Sequence, residues 1–318
     1  KAIILKAPGG VENLQLAALP QPVPGDREVL VQVKAISINP VDAVVRGDAA
    51  LLKNILHLRE GEQPVILGWD LSGVVTDTGK GVSRFKKGDE VFGMVRFTGH
   101  GKAYAEYVTA PEDQVALKPA GVSHEEAAAA TLAALTAWQA LVTYGHVRKG
   151  EKVLIHSAAG GVGSYAVQLA RYLGAEVIGT SSAANRDFVL NLGATQHIDY
   201  AKEKFEEVVN DADLVLDSVG TPGHLDRSLD ALKRGGRLIS IVTHFTDETL
   251  LKKIREKEVF THRLGVSSNG EDMWSIAGLM EKDALRSFVT QTFPLEKMAA
   301  AHTSIESGRT RGKIVVTV

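Results

Sequence analysis

Residues 152–180 read KVLIHSAAGGVGSYAVQLARYLGAEVIGT. The opening KVLIHS has the continuous apolar character of a strand buried on both faces. VGSYAVQLARYL then carries Val162, Ala166, Leu169, Ala170 and Leu173 on one face of a helix, and EVIGT is a second strand. Between the first strand and the helix lies Ala158-Ala159-Gly160-Gly161-Val162-Gly163, a variant of the glycine-rich turn that opens a βαβ unit. Gly160 lets a ligand approach the backbone, and Gly163 lets the helix pack closely on the strand. The free N–H groups of the helix N-terminus suit a pyrophosphate. With Ala158 in the place of the first glycine, the turn should need no positive φ there.

Working outward, the alternation continues. NRDFVLNL reads as a helix, DLVLDSV as a buried strand, HLDRSLDALKR as a helix and GRLISIV as a strand. HEEAAAATLAALTAWQALV precedes the unit as a long helix, opened by Ser123 as N-cap with Glu126 three residues on. Such alternation predicts a parallel sheet with both faces covered. Residues 1 to about 120 differ. EVLVQVKAISIN, GWDLSGVVTDTG, GDEVFGMV and AEYVTAP are short apolar runs between turn signals, the pattern of a barrel or sandwich. Asp48–Gln63 reads as helical or irregular. A helix is expected near Glu271–Glu281, and KIVVTV is expected to return as a strand to the first domain. The expected division is a β-rich domain of residues 1–121 and 267–318, and a Rossmann-type domain of residues 122–266.

With 318 residues, 44% of them hydrophobic, the chain has ample material for two cores. The 36 basic and 38 acidic residues nearly cancel, which gives no electrostatic reason to expect nucleic acid or an anionic surface as partner. The cationic stretches Arg84–Lys87 and Lys252–Lys257 read as solvated faces. The chain has no cysteine, so disulfides and thiolate metal sites are excluded. No apolar run reaches the roughly 18 residues of a membrane span. KAIILKAPGG lacks the pattern of a secretion signal, and a soluble cytoplasmic protein is expected.

The end of the second strand bears on the nucleotide. NAD-binding folds carry an acid there for the ribose hydroxyls. Here the strand runs into Thr180-Ser181-Ser182 without an acid, and Arg186 follows. Small hydroxyls and a guanidinium suit a 2′-phosphate, which points to NADPH. The alternative for Arg186 is an ordinary exposed helix charge.

Gly150-Glu151, Leu154, Ala158-Ala159-Gly160-Gly161, Gly163, Gln168 and Arg171 match the spacing of the quinone oxidoreductase/zeta-crystallin signature. The chain resembles this zinc-free branch of the medium-chain dehydrogenase/reductases over nearly its whole length. Ser37-Ile38-Asn39-Pro40-Val41-Asp42, Lys86–Val91 and Gly308–Lys313 resemble the family's N-terminal active-site turn, barrel motif and closing loop. The resemblance implies a GroES-like catalytic domain and a Rossmann domain with the active site in a cleft between them. It also implies that Ala159–Gly163, Thr180, Ser181, Ser182, Arg186, Tyr200, Ser218, Val219, Ile241, Val242, Leu264 and Val266 line the nucleotide, Leu264–Val266 near the nicotinamide. A homodimer through the Rossmann sheet edge is implied as well.

Zinc-dependent relatives hold their metal with Cys, His and acidic ligands. Here Pro64–Asp70 resembles the place of their His-Glu pair, and Trp69 cannot ligate zinc. Without a metal the easiest acceptors are conjugated, a quinone or an α,β-unsaturated carbonyl, which take hydride and place charge on a conjugated oxygen. Asn39 is a candidate for orienting the nicotinamide ribose or the substrate, or is a turn residue before Pro40. Asp42 buttresses that turn. Tyr104 and His100 lie in a glycine-rich stretch that could line the cleft, and Tyr104 also fits a strand core. The expectation is an NADPH-dependent reductase of quinones or enones. The alternatives are a 2-enoyl-thioester reductase and a non-catalytic, crystallin-like NADPH-binding protein.

Overall fold

The computed structural model describes all 318 residues. They divide into two compact units, Lys1–Leu135 with Ser267–Val318, and Thr136–Val266. The first unit contains β1 (Ala2–Leu5), β2 (Leu14–Ala17), β3 (Glu28–Ile38), α1 (Pro40–Gly47), α2 (Ala49–Leu56), β4 (Val65–Ile66), β5 (Asp70–Thr78), β6 (Glu90–Met94), β7 (Tyr107–Pro111), β8 (Val115–Leu117) and α3 (His124–Ala129). Helix α4 (Leu132–Trp138) and a π-helical turn (Gln139–Tyr144) lead into the second unit. That unit holds β9 (Lys152–Ile155), α5 (Gly161–Tyr172), β10 (Glu176–Ser181), α6 (Arg186–Leu192), β11 (Gln196–Asp199), α7 (Phe205–Val208), β12 (Ala212–Asp217), α8 (His224–Ala231), β13 (Leu232–Ser240), α9 (Glu248–Lys257) and β14 (Phe260–Arg263). The chain returns to the first unit with α10 (Gly270–Glu281), β15 (Val289–Pro294), α11 (Met298–Glu306) and β16 (Lys313–Thr317).

In the first unit, β1 pairs with β2 and β4, and a larger sheet runs β15-β16-β3-β5-β6-β8. Strand β3 is its spine, antiparallel to β16, β5 and β7. Val29, Val31, Ala35, Ile36 and Ile38 of β3 are fully enclosed, and each larger apolar side chain so placed contributes about 1.5–3 kcal/mol. Strand β16 is the expected return of KIVVTV, with Ile314 opposite Ile38.

The second unit is a six-stranded parallel sheet in the order β11-β10-β9-β12-β13-β14. Leu214, Val215 and Leu216 of β12 are all buried, as a central parallel strand requires. The order reverses between β9 and β12. Ligands of open α/β sheets bind beyond the carboxyl ends of the strands at such a reversal. This is the Rossmann arrangement.

Two expected helices differ. The run from His124 is not one helix. Thr131 Oγ1 bonds back to Ala128 O at 2.7 Å, and the Leu132 N–H turns to the buried Asp70 Oδ1 at 3.1 Å. Asp70 acts as an N-cap from a distant strand, and tertiary contact overrides the helical periodicity. Helix α3, with its Ser123–Glu126 capping box, packs on β3, β5 and β16. The first unit therefore runs on to Leu135, past the expected break after residue 121. The second difference lies in HLDRSLDALKR. Helix α8 stops at Ala231 because Leu232 pairs with Ala212 and begins β13. No helix is long and apolar enough to cross a membrane.

Candidate functional site

In the second unit, the turn from β9 into α5 departs from expectation by one residue. Ala158 has no positive φ, but Ser157 does, at 49°, a conformation that costs an L-residue about 1–2 kcal/mol. Ala158 N–H then bonds Thr180 O at 2.9 Å, tying the turn to β10. A Cβ on Gly163 would lie 2.2 Å from Ser157 O and 2.7 Å from Ala158 Cα, so only glycine fits under the turn. A Cβ on Gly160 would meet only Ser157 O, at 3.2 Å. Ser164 N–H bonds back to Gly160 O, and no carbonyl of the chain accepts from the N–H groups of Gly161, Val162 or Gly163. Three donors and the positive end of a twelve-residue helix remain for an anion. These residues fit a nucleotide pyrophosphate.

The other candidates for the nucleotide lie at carboxyl ends of the same sheet. Thr180 and Ser181 end β10 and Ser182 follows it; Tyr200 follows β11; Ser218 and Val219 follow β12; Ile241 and Val242 follow β13; Leu264 and Val266 follow β14. Their side chains are not equivalent. Thr180 Oγ1 is buried against His156 Nδ1 at 3.1 Å, and Ser181 Oγ is buried against His197 Nε2 at 2.8 Å while donating to Ser182 O at 3.1 Å. Both hydroxyls are engaged inside the fold. Arg186 and Tyr200 are well exposed, and Arg186 has only a 3.4 Å pairing with the exposed Asp187. Leu264 is buried, with its N–H on Ser240 O at 2.9 Å.

The sequence reading passed over Asp217. It is enclosed at the end of β12, where burial raises its pKa and the Ser240 and Val219 hydrogen bonds oppose the rise. Its carboxylate takes Ser240 Oγ at 2.7 Å and Val219 N–H at 3.1 Å. Ser218 Oγ in turn bonds His156 O at 3.0 Å. The visible signal was an acid closing an otherwise apolar strand.

In the first unit, Asn39, Asp42 and Tyr104 converge, and all three are buried. Asn39 caps α1: its N–H donates to Asp42 Oδ2 at 2.7 Å, and Pro40 sits where a helix's first turn tolerates it. Both ends of its side-chain amide are also occupied. Asn39 Nδ2 donates to Asp70 Oδ2 at 2.8 Å, and Lys313 Nζ donates to Asn39 Oδ1 and, at 3.2 Å, to Ile38 O. The amide orientation is thereby fixed, and one Nδ2 hydrogen is left over. Asp70 and Lys313 were not read as site residues. Burial raises the pKa of Asp70 and lowers that of Lys313. Asp42 is raised to about 7 by burial and then by Asp70, against the pull of the Asn39 N–H, Lys313 and Tyr104.

Tyr104 is not at an open surface. Its ring packs on Gly68, where a Cβ would come within 2.3 Å of it, and its hydroxyl lies 3.0 Å from His302 Nε2. His100 is tied to Glu62 at 3.0 Å and to the Ile66 N–H at 3.2 Å. Tyr104 therefore takes the strand-core place that the sequence also allowed, while His100 is only partly buried and lines a cavity with Lys102, Arg96 and Glu106. Trp69 is buried and donates to Gly99 O at 2.8 Å. No three His, Asp or Glu side chains converge as metal ligands would, and with no cysteine in the chain the donor set does not fit zinc.

Residues 25–120 match the alcohol dehydrogenase GroES-like domain, and residues 192–316 match a family described as zinc-binding dehydrogenase. The quinone oxidoreductase of Sus scrofa is 33% identical over 331 residues, covering 97% of this chain and 94% of the relative. The structure of the quinone oxidoreductase from Coxiella burnetii superposes with a TM-score of 0.90 at 35% identity, covering 100% of this chain and 98% of the other. That of the Escherichia coli quinone oxidoreductase complexed with NADPH gives 0.86 at 29% identity, covering 100% and 99%. The chain belongs to the quinone oxidoreductase family of the medium-chain dehydrogenase/reductases, and is an NAD(P)H-type oxidoreductase.

Proposed function

We propose that the protein uses NADPH in preference to NADH and reduces quinones or α,β-unsaturated carbonyls without a metal. The observation that carries the nucleotide preference is the end of β10, where Ser181-Ser182 replaces the acid of NAD-binding folds and the exposed Arg186 guanidinium follows. In this reading Arg186 and Tyr200 receive the 2′-phosphate, and the N–H groups of Gly161, Val162 and Gly163 hold the pyrophosphate. The reduced nicotinamide supplies the hydride when bound. The fixed Asn39 amide has one N–H to spare and is the group proposed to orient the ribose or the acceptor. A conjugated acceptor needs no Lewis acid, because its own oxygen takes the charge, and this suits a chain whose donors do not fit zinc.

We also propose a homodimer through β14. That strand ends the sheet and carries the half-exposed Phe260, and an open edge invites pairing.

Calorimetric titration with NADPH and with NADH tests the nucleotide reading. NADPH is expected to bind about 10–100 times more tightly, the worth of one or two charge-assisted hydrogen bonds. Equal affinities would overturn the reading.

A further inference from the structure

The polar groups behind Asn39 continue past Asp42 towards the surface. Arg46 of α1 places Nη1 3.0 Å from His302 Nδ1, and His302 Nε2 is 3.0 Å from the Tyr104 hydroxyl. Arg46 Nε donates to Gly9 O at 2.9 Å, and its other amino group pairs with Glu306, whose side chain reaches solvent. The direction of these bonds follows from valence. A guanidinium only donates, so His302 Nδ1 accepts. A neutral imidazole has one N–H, so it lies on Nε2 and is given to the Tyr104 oxygen. His302 is neutral because burial and the Arg46 charge push it down to about 3. Tyr104 then keeps its own proton for another acceptor. Burial and Asp42 raise the Tyr104 pKa well above the ordinary value, so that proton stays on the phenol. Asp42 Oδ1 is a buried carboxylate oxygen that lacks a donor at full hydrogen-bond geometry.

We propose that Arg46, His302 and Tyr104 form a one-way hydrogen-bond chain that turns the Tyr104 O–H towards Asp42 Oδ1 as a donor, which makes them positioning residues for Asn39. Asp42 then uses one oxygen for Tyr104 and the other for the Asn39 N–H. The ionised carboxylate serves both bonds best. The reverse polarity would need an N–H on His302 Nδ1 facing the guanidinium donors, two donors against each other. The groups that face Asp42 are Asp70 of β5, which opposes its ionisation, and Lys313 of β16, the Asn39 N–H and Tyr104, which favour it. Removing the Tyr104 hydroxyl removes one of the three groups that favour the ionised carboxylate. The consequence for turnover rests on the reading of Asn39 as the orienting amide.

The polarity is tested on the intact wild-type protein by NMR of ¹⁵N-labelled histidine, with His302 assigned by its loss in His302→Phe. The expected result is the Nε2–H tautomer, with no titration between about pH 5 and 8. An Nδ1–H tautomer, or titration near the ordinary histidine value, overturns the hydrogen-bond chain whatever the turnover shows. The consequence is tested by the pH profile of kcat/KM. Tyr104→Phe is expected to move the acid limb up by about one pH unit, and Asp42→Asn to abolish it. If Asn39→Ala lowers kcat/KM but Tyr104→Phe leaves the limb in place, the positioning role is overturned. If Asn39→Ala leaves kcat/KM unchanged, the reading of Asn39 fails, and the positioning role with it.

Discussion

Ser240 Oγ donates a 2.7 Å hydrogen bond to Asp217 Oδ2, joining the ends of β13 and β12. The same serine oxygen accepts from Thr243 N–H at 2.9 Å and Val242 N–H at 3.3 Å, while Asp217 Oδ1 accepts from Val219 N–H at 3.1 Å. One buried pair therefore shapes two turns that the nucleotide reading requires. Ser240→Ala leaves the carboxylate one donor short and two N–H groups without their acceptor. It should cost about 1–3 kcal/mol in urea unfolding and weaken NADPH binding. Wild-type stability and affinity in the variant would show that the turns are held otherwise.

Two of the three glycines of the phosphate turn, Gly163 and Gly160, should separate stability from binding. Gly163→Ala drives a Cβ into backbone at 2.2 Å. It should lower the unfolding midpoint, with a loss of about 1–3 kcal/mol. Gly160→Ala meets only one atom, at 3.2 Å. Thermal unfolding should be nearly unchanged while nucleotide affinity falls, because the methyl group occupies the ligand's approach. A Gly160→Ala variant with wild-type affinity would place the pyrophosphate elsewhere.

Arg186→Ala should raise the Kd for NADPH about tenfold or more and leave that for NADH alone. Fluorescence titration of the pair checks this. Tyr200→Phe should have a smaller effect of the same sign.

Stability should fall as the solution is acidified below about pH 6.5, the ordinary histidine value. Burial, and then Arg46, pushes His302 down to about 3; burial, and then Arg227, pushes His224 down to about 4. Between these values and 6.5 the unfolded chain binds the protons that the folded chain refuses, so folding loses ground. The slope is at most about 1.4 kcal/mol per pH unit for His302. Asp42 acts in the opposite sense. Its folded pKa of about 7 lies above its ordinary 3.8, so it contributes stability at low pH that is lost as pH rises between them. Urea unfolding across pH 4–7 should therefore show a steeper acid loss in Asp42→Asn than in wild type.

Local pattern made the second unit legible. The glycine turn, the apolar strands and the capped helices each have a short-range signature, and the parallel sheet follows from their alternation. What was hidden depends on partners far along the chain. Asp70 breaks a helix 62 residues away by accepting the Leu132 N–H. Lys313 is buried because Asn39, 274 residues away, offers it a carbonyl oxygen. A lysine opening an apolar strand and an acid beside Trp69 were the available hints, but periodicity cannot say which distant group will satisfy a charge. For Tyr104 the sequence leaves both a cleft and a strand core open. The fold uses the Tyr104 hydroxyl inside the core, through His302 on a helix that sequence spacing could not bring near it.

The most direct test follows the dihydronicotinamide absorbance while the protein oxidises NADPH or NADH with a simple quinone, before and after treatment with a metal chelator. The account predicts turnover that survives chelation, with kcat/KM about tenfold or more higher for NADPH. Equal use of NADH, loss of activity on chelation, or tight NADPH binding with no oxidation by quinone, enone or enal would contradict it.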